Sequence, residues 1–182
     1  MKYIVLDRDG VINEDSDAYI KSPEEFIPIP GSLEAITRLN KADYKIIVST
    51  NQSGIARHYF TEATLEKMHE KLNNLLANQG GELEEIYYCP HGPDDDCDCR
   101  KPKPGMLNQI ISKFTIAPAE LIVIGDSLRD LQSALAVGAQ PVLVETGKGQ
   151  KTKLAIKTLP ELAGTPVYKD LSTAVDAILN NE

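Results

Sequence analysis

A mostly parallel α/β sheet covered by helices on both faces is predicted by three features of this 182-residue chain. Short apolar runs recur along it. Stretches with helical periodicity separate them. Polar, chemically loaded clusters follow three of the runs directly. Strands that alternate with helices and end in such clusters are the pattern of a parallel sheet carrying its site at the strand ends.

The elements follow in order. Tyr3-Ile4-Val5-Leu6 is a short apolar run halted by charge and reads as a buried strand. Residues 13–30 are polar and carry Pro23, Pro28 and Pro30, which reads as a loop or small flap long enough to suspect a function. Ser32 is placed to cap a helix bearing Leu33, Ile36 and Leu39. Residues 44–49 form a second strand. Thr61 caps a longer helix whose Leu65, Met68, Leu72, Leu75 and Leu76 make one apolar stripe, broken at residues 78–81. Ile86-Tyr87-Tyr88 is a third strand. A helix over residues 106–114, a strand over 121–124, a helix over 128–137 ending at Gly138, and a strand over 141–144 come next. Val167-Tyr168 is a sixth strand, followed by a terminal helix over 174–179. Residues 147–164 are weakly patterned and read as a mobile surface segment. One domain spanning residues 1–182 is expected, without repeats or an interdomain linker.

Composition narrows the function. Hydrophobic residues make up 42% and charged residues 25%, as in an ordinary soluble protein. The formal net charge of −8 argues against a nucleic-acid partner, whose footprint is basic. It does not exclude an anionic small substrate, because the local field decides that. No run approaches the roughly 20 apolar residues of a spanning helix, and the N-terminus lacks a secretory pattern. A cytoplasmic, monomeric protein away from the membrane is the expectation.

Three clusters sit at predicted strand ends: Asp7-Arg8-Asp9-Gly10-Val11, Ser49-Thr50-Asn51-Gln52-Ser53-Gly54, and Gly125-Asp126-Ser127-Leu128-Arg129-Asp130. Their chemistry suits phosphoryl transfer. One carboxylate can attack phosphorus, and a second can protonate the leaving alkoxide and then activate water. A hard cation must bridge two anions; Mg²⁺ prefers oxygen ligands, and Asp126 is the obvious distant carboxylate for it. Thr50 and Asn51 offer donors for phosphoryl oxygens. Asp-x-Asp-Gly by itself could be a turn or part of a Ca²⁺ loop, but no ladder of oxygens leads to a closing Glu.

Together the three clusters resemble the motifs of the haloacid dehalogenase superfamily of phosphatases. The resemblance implies a Rossmann-like three-layer fold, Mg²⁺ dependence and an aspartyl-phosphate intermediate. It makes Asp7 the nucleophile, Asp9 the general acid/base, Thr50 the hydroxyl that holds the phosphoryl group and Lys101 the cation of the third motif. Asp7, Asp126 and the backbone carbonyl of Asp9 would hold Mg²⁺, with Asp130 in support. The stretches between motifs are too short for an inserted cap domain.

All three cysteines fall in the segment Cys89-Pro90-His91-Gly92-Pro93-Asp94-Asp95-Asp96-Cys97-Asp98-Cys99. Cys89, His91, Cys97 and Cys99 make a closed four-ligand set, which structural zinc favours. A reduced thiol cluster or a redox pair are the alternatives, the latter disfavoured in a reducing compartment. A zinc ion here would stiffen a loop with little core of its own and position Arg100 and Lys101, which follow at once.

The strings Asp-Arg-Asp-Gly-Val-Ile-Asn, Thr-Asn-Gln-Ser-Gly-Ile-Ala-Arg and Cys-Asp-Cys-Arg-Lys-Pro-Lys-Pro-Gly-Met are similar to the heptose bisphosphate phosphatase family within that superfamily. This implies a sugar bisphosphate substrate and a step toward lipopolysaccharide heptose. It also implies substrate contacts from Tyr19, Asn51, Gln52, Ser53 and Arg100. Ser127 departs from the lysine of several relatives, with Arg129 as a replacement, and the flap carries more acid than a bisphosphate site would call for. Histidinol-phosphate phosphatase is the enzymatic rival. A DNA 3′-phosphatase is opposed by the zinc loop and acidic charge, and a zinc-stabilised binding module by the complete set of five catalytic groups.

Overall fold

The computed structural model describes residues 2–180. Six strands, β1 (Lys2–Leu6), β2 (Tyr44–Asn51), β3 (Glu85–Cys89), β4 (Ile122–Gly125), β5 (Gln140–Val144) and β6 (Val167–Tyr168), form one sheet in the order β3-β2-β1-β4-β5-β6. Every pairing is parallel. The α/β prediction is borne out.

Alternation along the strands explains the layers. Ile4, Leu6, Ile46, Val48, Ile124, Val142 and Val144 point to one face and join a core with α1 (Ser32–Lys41), α2 (Glu62–Ala77) and α6 (Leu171–Asn180). The residues between them, Val5, Ile47 and Val123, point to the other face. There they meet Leu107 and Ile110 of α3 (Gly105–Phe114) and Ala134 of α4 (Leu128–Val137). Each such fully buried aliphatic side chain contributes about 1.5–3 kcal/mol. Both faces need burial, so the strands read as continuous apolar runs.

Thr61 caps α2 as expected, its hydroxyl accepting from Thr64 N at 3.2 Å. The stripe of α2 buries Leu65, Met68, Leu72 and Leu76. Two expectations need correction. Ser32 does not cap α1: Gly31, in the left-handed region at φ 84°, takes that position. Ser32 is the first helical residue, and its hydroxyl donates to Ile12 O at 2.6 Å, tying the helix to the flap. Residues 147–164 are not a loose surface segment. They hold α5 (Gly149–Ile156), and Ile156 and Leu162 pack with Leu131 and Leu143 in a third small core. That helix has only a few inward residues and an exposed Leu154, which blurs its period.

Candidate active site

The strand order puts β1 at the centre of the sheet, with β2 on one side and β4 on the other. Asp7 leaves the end of β1 with its N–H donating to Ile124 O at 3.0 Å. Thr50 lies near the end of β2 and Asp126 just beyond β4. Three clusters far apart in sequence thus meet at one edge.

Asp7, Asp126 and Asp130 each bring a carboxylate oxygen within 4.8 Å of the others. Lys101 is buried among them, its Nζ 3.1 Å from Asp7 Oδ1 and 2.5 Å from Asp130 Oδ1, and it also donates to Ser49 O at 2.8 Å. Two glycines make this packing sterically feasible. A Cβ on Gly10 would sit 2.1 Å from Asp126 Oδ2, and one on Gly147 would sit 2.2 Å from it. Lys148 N donates to that same oxygen at 2.7 Å.

Electrostatics show that one lysine does not balance the cluster. Burial, with repulsion from Asp130 and Asp9, pushes Asp7 up to about 7 despite Lys101. Burial, then Asp7 and Asp130, pushes Asp126 up to about 8. Burial alone would lower Lys101, but Asp130 and Asp7 outweigh it and raise it. An all-oxygen set under mutual repulsion suits a hard divalent cation of the Mg²⁺ class.

The Asp9 carboxylate turns away from this set. Its Oδ1 accepts from Arg8 Nε at 3.0 Å, Arg8 Nη2 at 2.9 Å and Asn13 Nδ2 at 2.8 Å. Its Oδ2 accepts from Gln52 Nε2 at 3.0 Å. Burial works against the charge, but Arg8 and the other donors prevail and hold this carboxyl below its ordinary range. Gln52 Nε2 also donates to Thr50 Oγ1 at 3.0 Å. Asn51 lines the cavity, yet both ends of its amide are taken by Lys101, accepting from its N–H and donating to its carbonyl, each at 3.1 Å.

Cys89, His91, Cys97 and Cys99 bring their ligand atoms within 4.8 Å of one another. The Cys99–Cys89, Cys89–Cys97 and His91–Cys99 separations are 3.0, 3.9 and 3.3 Å. Those spans are of the order of the edges of a tetrahedron with bonds of about 2.0–2.3 Å, and a sulfur-rich, closed donor set suits zinc. Burial and the neighbouring Cys99 push the Cys89 thiol up to about 12, a penalty on the thiolate that a bound cation would reverse. The loop also braces its neighbour: Arg100 Nη1 donates to His91 O at 3.2 Å.

Asp7, Asp9, Thr50, Lys101, Asp126 and Asp130 line a cavity of about 320 Å³. Its lining includes Tyr19, Ser53, Arg57, Arg100 and Arg129. Arg57 lies over the Tyr19 ring at 5.9 Å. Arg100 is lowered first by burial and then by the like charge of Arg129. Among the described residues none of these three arginines has a carboxylate partner, so the lining of this cavity carries unneutralised cations beside its acids. Ser127 is occupied elsewhere, its N–H and hydroxyl both donating to Asp130 Oδ2 at 3.0 and 2.7 Å. The acidic flap is partly answered by Lys148, which pairs with Asp15. Sequence reasoning passed over Lys148 and the buried Arg8. Arg8 left one signal, a cation set between two carboxylates; Lys148 left none.

Comparison with known proteins agrees with this geometry. A family model described as polynucleotide kinase 3 phosphatase matches residues 4–135, and one described as HAD-hydrolase-like matches residues 98–174. The chain belongs to the haloacid dehalogenase-like phosphatases. Among relatives in that family it is similar to the D-glycero-beta-D-manno-heptose-1,7-bisphosphate 7-phosphatase of Pseudomonas putida. The two are 58% identical over 94% of this chain and 96% of the relative. The Pseudomonas aeruginosa protein of the same name is 56% identical over 97% of each. The crystal structure of a D,D-heptose 1,7-bisphosphate phosphatase from B. bronchiseptica, complexed with magnesium and phosphate, superposes with a TM-score of 0.96. It is 51% identical and covers 100% of both chains.

Proposed function

We propose that this chain is a Mg²⁺-dependent phosphatase that removes the phosphate on carbon 7 of D-glycero-D-manno-heptose 1,7-bisphosphate. One observation carries the reading. A single cavity is lined both by the cation-ready carboxylates Asp7, Asp126 and Asp130 and by Arg57, Arg100 and Arg129, which have no carboxylate partner among the described residues. A bisphosphate needs both, one for the phosphate that reacts and one for the phosphate that stays. The names of the relatives favour the heptose over histidinol phosphate.

Asp7, Asp126 and the backbone carbonyl of Asp9 would hold Mg²⁺. When bound, the ion neutralises the nucleophile and the phosphoryl oxygens so that two anions can approach. Asp7 attacks phosphorus in line with the ester oxygen. Asp9, once protonated against the pull of Arg8, gives that oxygen its proton as the phosphorus–oxygen bond breaks, leaving phosphate on Asp7. Asp9, now a base, then takes a proton from the water that attacks the phosphoaspartate. Lys101 and Thr50 hold phosphoryl oxygens, and Asn51 holds Lys101. Tyr19, Gln52, Ser53 and Arg100 line the substrate side. A zinc ion on Cys89, His91, Cys97 and Cys99 keeps Arg100 and Lys101 in register. The enzyme works as a cytoplasmic monomer on a small molecule, with no nucleic acid or membrane partner; among the described residues no helix is long and apolar enough to cross a membrane.

The test is phosphate release with Mg²⁺ from heptose 1,7-bisphosphate, histidinol phosphate and a sugar monophosphate. Phosphorus NMR identifies the phosphate that leaves. A higher kcat/KM for the heptose with heptose 1-phosphate as product supports the reading. A preference for histidinol phosphate keeps the mechanism and replaces the substrate. No release from any of them overturns the enzyme.

A further inference from the structure

Arg8 stands between the two catalytic carboxylates, yet its side chain does not line the cavity. It is fully buried and is among the largest wholly buried side chains of the protein. Every nitrogen of its guanidinium has a partner. Nε donates to Asp9 Oδ1, and Nη2 donates to both Asp9 oxygens, at 2.9 and 3.2 Å. Nη1 faces Met68 Sδ at 3.9 Å and His69 Nε2 at 3.3 Å. The guanidinium also lies over the Phe26 ring at 5.6 Å.

A buried cation is held only by good geometry and full hydrogen bonding. Asp9 supplies the charge and His69 completes the set. Burial, then the charge of Arg8, pushes His69 down to about 4, so its ring is neutral. The lone pair on Nε2 then accepts from Arg8, which assigns the ring hydrogen to Nδ1. Met68 and His69 belong to α2, and α2 is fastened to the flap through Lys71, whose Nζ donates to Pro23 O at 2.6 Å and Phe26 O at 2.8 Å. Arg8 is thus clamped between helix and flap while it grips Asp9 from behind. Asn13 and Gln52 grip it from two other directions.

We propose that Arg8 and His69 are positioning residues that act through Asp9, fixing the direction in which its carboxyl meets the leaving oxygen. This rests on the reading of Asp9 as the general acid. A general acid matters in proportion to how badly the leaving oxygen needs a proton. A sugar alkoxide needs one; a nitrophenolate does not. Damage confined to the aim of Asp9 therefore penalises sugar phosphates selectively, whereas a loosened fold penalises both kinds of ester.

The experiment compares kcat/KM for the sugar phosphate and for p-nitrophenyl phosphate in Arg8→Met, Arg8→Lys, His69→Leu, His69→Gln and Asp9→Asn. That ratio reports steps only through phosphate transfer to Asp7, so the later role of Asp9 as a base does not enter it. Arg8→Met removes both the aim of Asp9 and the charge that favours its ionised form; with the loss of aim outweighing the gain in protonated Asp9, kcat/KM is expected to fall ~100-fold for the sugar and less than ~5-fold for the aryl ester. His69→Leu is expected to cost the sugar ~10-fold, and His69→Gln, which keeps an acceptor for Arg8, to restore most of that loss. Thermal melting checks that each variant folds. If Arg8→Met does not fold, the His69 pair decides. Equal losses on both esters, or no loss, alongside a selective loss in Asp9→Asn, would overturn the positioning role alone. Equal losses in Asp9→Asn would overturn the acid assignment and this inference with it.

Discussion

The carboxylate cluster and the cysteine cluster each offer a donor set that suits a cation, and they are built in opposite ways. Asp7, Asp126 and Asp130 come from the ends of two neighbouring strands and the first turn of α4. Asp126 and Asp130 are buried, and the sheet would hold these residues together whether or not a cation were bound. Cys89, His91, Cys97 and Cys99 come from a single run of chain, and beyond Cys89 that run contributes nothing to the buried apolar core. The difference separates two uses of a metal. Where the fold supplies the geometry, the ion supplies chemistry. Where the loop has no core, the ion supplies the geometry.

Asp7→Asn gives the largest effect and the sharpest contrast. Turnover should fall by ~10⁴-fold or more, as for other removed nucleophiles. The fold should persist with an unchanged melting temperature or a higher one, because a repelled carboxylate is gone. Zinc content per chain should not change. Steady-state kinetics, melting and metal analysis check all three, and retained turnover would remove Asp7 as nucleophile.

Cys99→Ser, or zinc chelation, should cost ~10- to 100-fold in activity through misplacement of Arg100 and Lys101. Hydrogen exchange should rise over residues 90–104 and stay slow in β1, β2 and β4. Full activity in zinc-free protein would end the positioning role of the loop.

Arg129→Ala should raise KM for the bisphosphate by ~3- to 10-fold with kcat little changed if, as proposed, Arg129 holds the phosphate that does not react. A sugar monophosphate should show no such rise. An equal rise for both would place Arg129 outside the second phosphate site.

The smallest effect is a shift in stability with pH. Asp7 and Asp126 hold protons in the folded state up to about 7 and about 8, against 3.8 when unperturbed. Raised carboxyl groups contribute stability that is full below about 3.8 and is lost as pH rises through those values. Mg²⁺ bound by these carboxylates would take the place of the protons. Its stabilising shift, a few degrees in Tm, should therefore be larger at pH 8 than at pH 5. Scanning calorimetry with and without Mg²⁺ checks the order; a reversed order would deny that these carboxylates hold the ion.

Legibility followed the same divide between local and distant causes. The strands were readable because burial on both faces makes them unbroken apolar runs. α2 was readable because its stripe and its Thr61 cap agree. α5 was missed because its buried side is narrow. The cysteine set was readable as a set because its ligands lie side by side in the chain. Of the acidic site, the residue types were evident and their partners were not. Asn51 offers the donors expected for a phosphoryl group, but its amide oxygen and one amide hydrogen hold the main chain of Lys101. Nothing in the local sequence marks His69 of α2 as the residue that faces Arg8.

What the sequence by itself determined was the class of fold, the chemistry available and the grouping of three thiols and one imidazole in one short segment. These depend on periodicity, residue type and short spacing, which the chain displays directly. Only the tertiary structure decided that Lys101 lies between Asp7 and Asp130, that Arg8 turns inward to hold Asp9, and that Arg57, Arg100 and Arg129 border one cavity. Those relations join residues from separate strands, helices and loops. They exist only once the order of the parallel sheet has set which ends are neighbours, and burial has then strengthened every charge among them.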